Sequence, residues 1–288
     1  MATLREIKTR ITAVKSIQKI TKAMKMVSAA KLRRAQDKII STRPYALKLS
    51  ELLSHLVSVS TESDNPLLKS TDEKNKLIVI ITADRGMCGA FNSNIIKYST
   101  NYLSKIGKET KIILIGKKAS DFFSRRGYNI IDKYTSLFSN LNIEVSNEIV
   151  SKIVSGFQNN EYNCVELIYN EFKSVVKQNI VKEKFLPVIN TEDKAEEKYT
   201  DVNYIYEPSV DSILDNLIPR KLNIQLWKAL LESNAAEQGA RMTSMEIATR
   251  NADDMIKFLD LLYNKARQES ITKELLEIVS GAEALKEG

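Results

Sequence analysis

The chain has 288 residues, of which 43% are hydrophobic and 27% charged, so it can form one large domain or two small ones. A single His and two Cys exclude most His-based metal sites, catalysis by a positioned imidazole, and a disulfide framework. The net charge of +7 is concentrated at the start, because residues 1–43 carry twelve Lys and Arg against two acidic residues. The longest strongly apolar run, 77–83, is too short to span a bilayer.

The first long element is a helix. Residues 3–43 contain neither Gly nor Pro and carry an apolar stripe at helical spacing. The stripe consists of Leu4, Ile7, Ile11, Val14, Ile17, Ile20, Met24 and Val27. Pro44 predicts a kink or a new turn, after which 46–59 is helical again. The polar stretch 61–76, with Pro66, predicts a linker.

The central part alternates between strands and helices. We predict strands at the start of 77–86, at 112–116, within 128–134, at 164–172 and within 175–188, the last two forming a hairpin. Helices are predicted at 94–106, 119–126 and 142–157. This alternation indicates a small, mostly parallel sheet with helices on its faces. A charged loop and exit segment, 191–208, follow the predicted domain at 77–190.

The last element is a helix of unusual length, predicted over 209–288 with Pro219 near its start. Steps of four and three give one seam of a coiled coil. Its positions are Leu231, Ala235, Gln238, Met242, Met245, Thr249, Ala252, Ile256, Leu259, Tyr263 and Ala266. Each terminal helix, 1–60 and 209–288, must bury a stripe, so we predict that they pair antiparallel. The predicted fold is α/β: a long antiparallel coiled coil with an inserted small, Rossmann-like domain.

Three motifs allow other functions. The turn ADRGMCGAFNSN (83–94) lies where a phosphate loop would lie, but it lacks G-x-G-x-x-G, and IGKKAS (115–120) is not a P-loop. We therefore expect a tight structural turn, with Cys88 as a packed side chain. The basic N-terminus leaves open a transit peptide, a coiled-coil scaffold or a nucleic-acid-binding helix, although 1–43 has no aromatic residue for stacking.

Long motifs at both ends resemble the gamma subunit of the rotary ATP synthase. The matching stretches are 7–36 (IKTRITAVKSIQKITKAMKMVSAAKLRRAQ), 263–285 (YNKARQESITKELLEIVSGAEAL), 83–95 (ADRGMCGAFNSNI) and 202–209 (VNYIYEPS). The resemblance implies a non-catalytic rotating central stalk that couples proton flow to ATP synthesis and hydrolysis on a ring of alpha and beta subunits. It further implies contacts with the epsilon subunit and the membrane rotor ring of c subunits, but no cofactor, metal, nucleic acid or direct small-molecule substrate. The expected location is the cytoplasmic face of a bacterial inner membrane, as a peripheral protein.

The resemblance also assigns contact residues. Those expected to contact the catalytic ring are Lys22, Met24, Lys25, Arg241, Met242, Arg267, Gln268 and Thr272. Those expected near the rotor ring and epsilon are Lys31, Arg34, Tyr204, Tyr206 and Glu207.

Overall fold

The computed structural model describes residues 3–59, 65–68, 75–107, 109–188, 206–207 and 209–284. The helices are α1 (Leu4–Val59), α2 (Phe91–Ile106), α3 (Lys117–Phe123), α4 (Ile143–Gln158) and α5 (Val210–Ala284), with a 3-10 turn at Leu137–Ser139. The strands are β1 (Lys76–Ile81), β2 (Lys111–Ile115), β3 (Ile130–Tyr134), β4 (Cys164–Phe172) and β5 (Gln178–Leu186). Each predicted strand and helix is present, with ends that differ by a few residues. Most of the predicted charged loop and exit segment, 191–208, and most of the linker 61–76 lie outside the described residues.

The five strands form one sheet in the order β3-β2-β1-β4-β5. All neighbouring pairs are parallel except β4 and β5, which form the predicted antiparallel hairpin. The prediction of a mostly parallel sheet is therefore confirmed. Because β1, β2 and β3 run parallel, the turns that follow them lie at the same edge of the sheet.

Both faces of the sheet are covered, which explains why β1 is apolar at every position from Leu77 to Ile81. On one face, Leu77 and Val79 belong to a core that contains side chains of α1, α4 and α5. On the other face, Ile78 and Ile80 pack with side chains of α2 and α3. The sheet is thus the middle layer of a three-layer arrangement.

Contacts divide the chain into two units, and the division falls within both long helices. One unit is Ala29–Arg241, which contains the sheet, and the other combines Met1–Ser28 with Met242–Gly288. We call these the α/β unit and the helix-pair unit. In the helix-pair unit the helices run antiparallel, because Ile7 and Ile11 pack with Leu259 whereas Thr21 bonds Thr249.

Both helices continue through a proline. Pro44 lies inside α1, where the sequence predicted a kink or a new turn, and Pro219 lies inside α5 near its start, as the predicted range 209–288 implied. Each proline leaves one carbonyl, four residues earlier, without its helical partner. The residues that carry those carbonyls, Ile40 and Asp215, are exposed, so water can bond them and the helix need not end.

The predicted apolar stripes of α1 and α5 agree with the observed burial to different extents. All eleven seam positions of α5 are buried or half-buried, which confirms that seam. The α1 stripe is correct at Ile7 and Ile11 but wrong further along, where Ile17, Ile20 and Val27 are each more than half exposed. Polar side chains take the inner face there.

Candidate functional site

The helix-pair unit is held by a polar seam along part of its length. The Gln18 side-chain amide donates to the carboxylate of Asp253. The hydroxyls of Thr21 and Thr249 are 2.8 Å apart. One turn later in α1 and one turn earlier in α5, Lys25 Nζ lies 3.0 Å from Glu246 Oε1. This ladder, defined by these three pairs, fixes the register of the helices because hydrogen bonds and ion pairs are directional, whereas apolar contacts are not.

Apolar side chains point outward on the same unit. In α1, Ile17, Ile20 and Val27 are exposed, and in α5 so are Phe258 and Leu261. Isolated exposed apolar residues are ordinary, but a series of them beside a polar seam is the inverse of the usual helix-pair pattern. The surface is therefore suited to being enclosed by other protein.

The expected ring-contact residues divide by exposure. Lys22 is exposed, Met24 and Met242 are half-buried, and Lys25 is held by Glu246. Near the end of α5, the three residues Arg267, Gln268 and Thr272 are all exposed. Gln268 and Thr272 lie one turn apart and line one shallow groove together with Leu276.

Arg241 differs from the other expected ring contacts because its side chain is only 9% exposed. Its guanidinium donates to Glu237 Oε1 at 2.5 Å, and also to the carbonyl oxygens of Arg85 at 3.3 Å and Gly86 at 3.2 Å. Little of its polar surface is left for a partner. Glu237 is not among the residues predicted from the sequence, although the i, i+4 spacing of Glu237 and Arg241 on a helix is typical of an ion pair.

The expected rotor-ring contacts lie in the α/β unit. Lys31 and Arg34 are exposed on α1. The Tyr206 hydroxyl lies 3.2 Å from Nδ1 of His55, and Glu207 is exposed. Tyr204 lies outside the described residues.

Polar side chains at the turn after β1 form hydrogen bonds with other groups of the same chain. One carboxylate oxygen of Asp84 accepts the backbone N–H of Lys117, at the start of α3, and that of Ser136. The Asn92 side chain accepts the N–H of Ala83 and donates to Cys88 Sγ. A carboxylate at this edge repels a phosphate, so the geometry supports a structural turn and not a nucleotide site.

Cys88 is a packed side chain, as predicted. It is 2% exposed and clusters with Phe91, Ala236 and Ala240. Burial raises the pKa of its thiol, since the thiolate would lose solvation, although the nearby Arg241 charge acts in the opposite direction. The small residues Ala236 and Ala240 of α5 thus pack against the turn after β1 and the start of α2.

Within the described parts of the chain, no group of three or more His, Cys, Asp or Glu side chains is arranged to hold a metal ion. In the same residues, none of the helices combines the length and the apolar character that crossing a bilayer demands.

Comparison with known proteins identifies the family. Residues 3–285 match a family model described as ATP synthase. The ATP synthase gamma chain of Chloroherpeton thalassium is 48% identical over 100% of this chain and 99% of its own, and that of Salinibacter ruber is 43% identical over the same shares. Among solved structures, the Tetrahymena thermophila mitochondrial ATP synthase central stalk and c-ring gives a TM-score of 0.62 at 27% identity, covering 80% of this chain and 99% of that one. A chain of the Euglena gracilis mitochondrial ATP synthase shares the fold, with a TM-score of 0.68 at 22% identity over 98% of this chain and 94% of that one. With similarity that extends over its whole length, the chain belongs to the ATP synthase gamma chain family.

Proposed function

We propose that this chain is the rotating, non-catalytic central-stalk subunit of a proton-translocating ATP synthase. It turns inside a ring of alpha and beta subunits, where ATP is made or hydrolysed, and couples that chemistry to the membrane rotor ring. An asymmetric shaft can place the three catalytic sites in different states only if its faces differ.

The observation that carries the proposal is the inverted pattern in the part of the helix-pair unit that contains the polar ladder. Its seam buries Thr21 and pairs Lys25 with Glu246, while Ile20 and Phe258 are 58% and 56% exposed. Outward apolar side chains allow contact with a surrounding sleeve of protein without fixed hydrogen bonds, and contacts of that kind permit sliding. The polar ladder meanwhile keeps the two helices in register while they turn.

The exposed polar residues supply the contacts that are specific to a rotational position. Arg267, Gln268 and Thr272 are available at the end of α5, and Lys22 is available on α1. We assign these to the catalytic ring, together with the half-buried Met24 and Met242, while Lys25 acts within its ion pair.

Contacts with epsilon and with the rotor ring of c subunits are assigned to the α/β unit. Lys31, Arg34 and Glu207 are exposed there, and Tyr206 is half-buried. In this proposal the chain is peripheral on the cytoplasmic face of a bacterial inner membrane, and it binds no cofactor of its own.

The test is co-expression with the alpha and beta subunits of the same organism. ATPase activity should require this chain, and a bead attached to the α/β unit should rotate during hydrolysis. Activity of alpha and beta that is independent of this chain, with no co-purification, would contradict the proposal. Salt-sensitive binding to DNA in its place would favour the nucleic-acid alternative.

Two variants test the outward surface directly. Ile20→Asp and Phe258→Asp place a charge where the free chain meets water, so the unfolding free energy of the isolated chain should change by only about 0.5 kcal/mol. Assembly or ATPase activity should fall in both variants, because the charge must be desolvated inside the ring. Arg250→Asp, at an exposed polar position of α5, is the matched control and should assemble better than either variant.

A further inference from the structure

Arg241 joins α5 to the turn after β1 through two backbone carbonyls of the turn, while a third acceptor on α5 itself, Glu237, holds the guanidinium. Its Nη1 bonds Glu237, and its Nη2 bonds the carbonyls of Arg85 and Gly86. The side chains of Arg241 and Glu237 are 9% and 6% exposed, so the ion pair is buried. A planar guanidinium with acceptors on two sides resists rotation of the helix about its own axis.

The turn is fixed independently of this arginine. Asn92 donates to the Arg85 carbonyl at 3.4 Å and accepts the N–H of Ala83 at 3.0 Å. Met87 and Gly89 adopt positive φ, 61° and 59°, which sets the backbone of the turn. The carbonyls that Arg241 bonds are therefore held in place by the α/β unit itself.

Apolar contacts beside the ion pair bring the helix close but do not orient it. Ala236 and Ala240 pack on Ala83 and Phe91. At Gly239 an added Cβ would lie 3.1 Å from the Phe172 ring, so the backbone is already near van der Waals contact. Contacts between small apolar side chains oppose separation, yet they have no direction.

The two charges of the pair depend on each other. Burial raises the pKa of Glu237, and the Arg241 charge opposes that rise. Removal of either partner leaves the other charged group buried without compensation, which costs much more than the loss of an exposed pair.

We propose that Arg241 and Glu237 are positioning residues that lock α5 rotationally to the turn at 84–89, so that torque passes between the sheet and the helix without slip. This inference rests on the proposed rotary function. Arg241 then acts inside the chain, and its effect on catalysis elsewhere passes through the orientation of α5.

A variant of Glu237 distinguishes this positioning role of Arg241 from direct contact between Arg241 and the catalytic ring. The complete ATP synthase in inverted vesicles is assayed for both ATP hydrolysis and ATP-driven proton pumping. Glu237→Gln and Arg241→Lys should both reduce the protons pumped per ATP hydrolysed. Glu51→Gln is the matched control, because Glu51 forms an exposed i, i+3 pair with Lys48 on α1, and its ratio should equal that of the wild type. An unchanged ratio in Glu237→Gln would overturn the proposal.

The charge exchange is a stricter variant. In the double variant Glu237→Arg with Arg241→Glu, the new carboxylate faces the carbonyls of Arg85 and Gly86 and cannot donate to them. We expect no recovery of the pumping ratio. Full recovery would show that the ion pair alone matters and would overturn the lock to the turn.

Hydrogen exchange on the isolated full chain tests the lock without the complex. In Glu237→Gln and Arg241→Lys, amides of residues 84–92 should exchange on the order of 100-fold faster than in the wild type or in Glu51→Gln. Faster exchange with an unchanged pumping ratio would overturn the positioning role. If the wild-type chain did not support ATPase activity, the proposed function would fail, while the exchange result would still decide whether the lock exists. Glu237→Gln keeps the size of the side chain, so it remains usable if Arg241→Lys does not fold.

Discussion

Leu259 gives the sharpest test of the helix-pair seam. It is 7% exposed and packs with Ile7 and Ile11 of α1. Replacement by Ala removes three buried carbons, which at about 0.8 kcal/mol each amounts to about 2.4 kcal/mol. Water can enter a two-helix seam, so the cavity term is small. We expect a loss of about 2–3 kcal/mol, at the low end of the range for buried Leu→Ala changes.

Urea unfolding separates the two units. The helical signal in circular dichroism reports both of them. The fluorescence of the single Trp, Trp227, reports the α/β unit, in whose core it is buried. With a denaturant slope of about 1–3 kcal/mol/M, the part of the helical transition that belongs to the helix pair should move by about 1 M or more to lower urea. The Trp227 transition should stay in place.

Leu261 provides the matched control on the same helix. It is 71% exposed, so Leu261→Ala should change stability by no more than about 0.5 kcal/mol. Equal effects of Leu259→Ala and Leu261→Ala would refute the seam. A Trp227 transition that moves as far as the helical one would refute the separate response of the two units.

Two further predictions concern the α/β unit. Burial raises the pKa of Cys88, so its thiolate fraction at pH 8 is below that of an exposed thiol. Cys88 and Cys164 are both buried and should react with iodoacetamide only after unfolding. Mass spectrometry that found either residue of the native chain modified at the rate of a free thiol would contradict this. Gly116→Ala should lower the free energy of unfolding by about 3 kcal/mol or more, because φ is +98° and the new Cβ would lie 2.1 Å from the Thr82 carbonyl oxygen. Gly127 also has positive φ, but the space around it is open. Gly127→Ala should therefore lower the free energy of unfolding by only about 1 kcal/mol in the same urea titration.

Periodicity predicted the strongest elements because their causes are local. The strand from Leu77 to Ile81 is apolar at each position, and the seam of α5 repeats over many turns. Pro44 misled the prediction, since a missing hydrogen bond ends a helix only where nothing else satisfies the freed carbonyl. The carbonyl freed by Pro44 is that of Ile40, and water can bond it because Ile40 is exposed. Its exposure depends on which face of α1 is buried, and the local sequence does not determine that face.

The middle of α1 shows the limit of binary patterning. A stripe through Ile17 and Ile20 assumed that the apolar face is the buried one. In the structure Thr21 lies inside and bonds Thr249, which is distant in sequence. A pattern in one helix cannot reveal the polar groups that its partner presents. The outward Ile17 and Ile20 therefore have a physical meaning only once the pairing is known.

The sequence by itself determined the order and type of the elements, the parallel sheet, the antiparallel hairpin and the seam of α5, because each follows from local propensity and a regular period. It also determined the family, since long motifs are preserved over the whole chain. Only the tertiary structure decided which side chains of α1 face inward. It also decided that the Arg241 guanidinium bonds Glu237 and the turn after β1. The reason is physical: burial and hydrogen bonding depend on groups that are distant along the chain and that meet only in the folded protein.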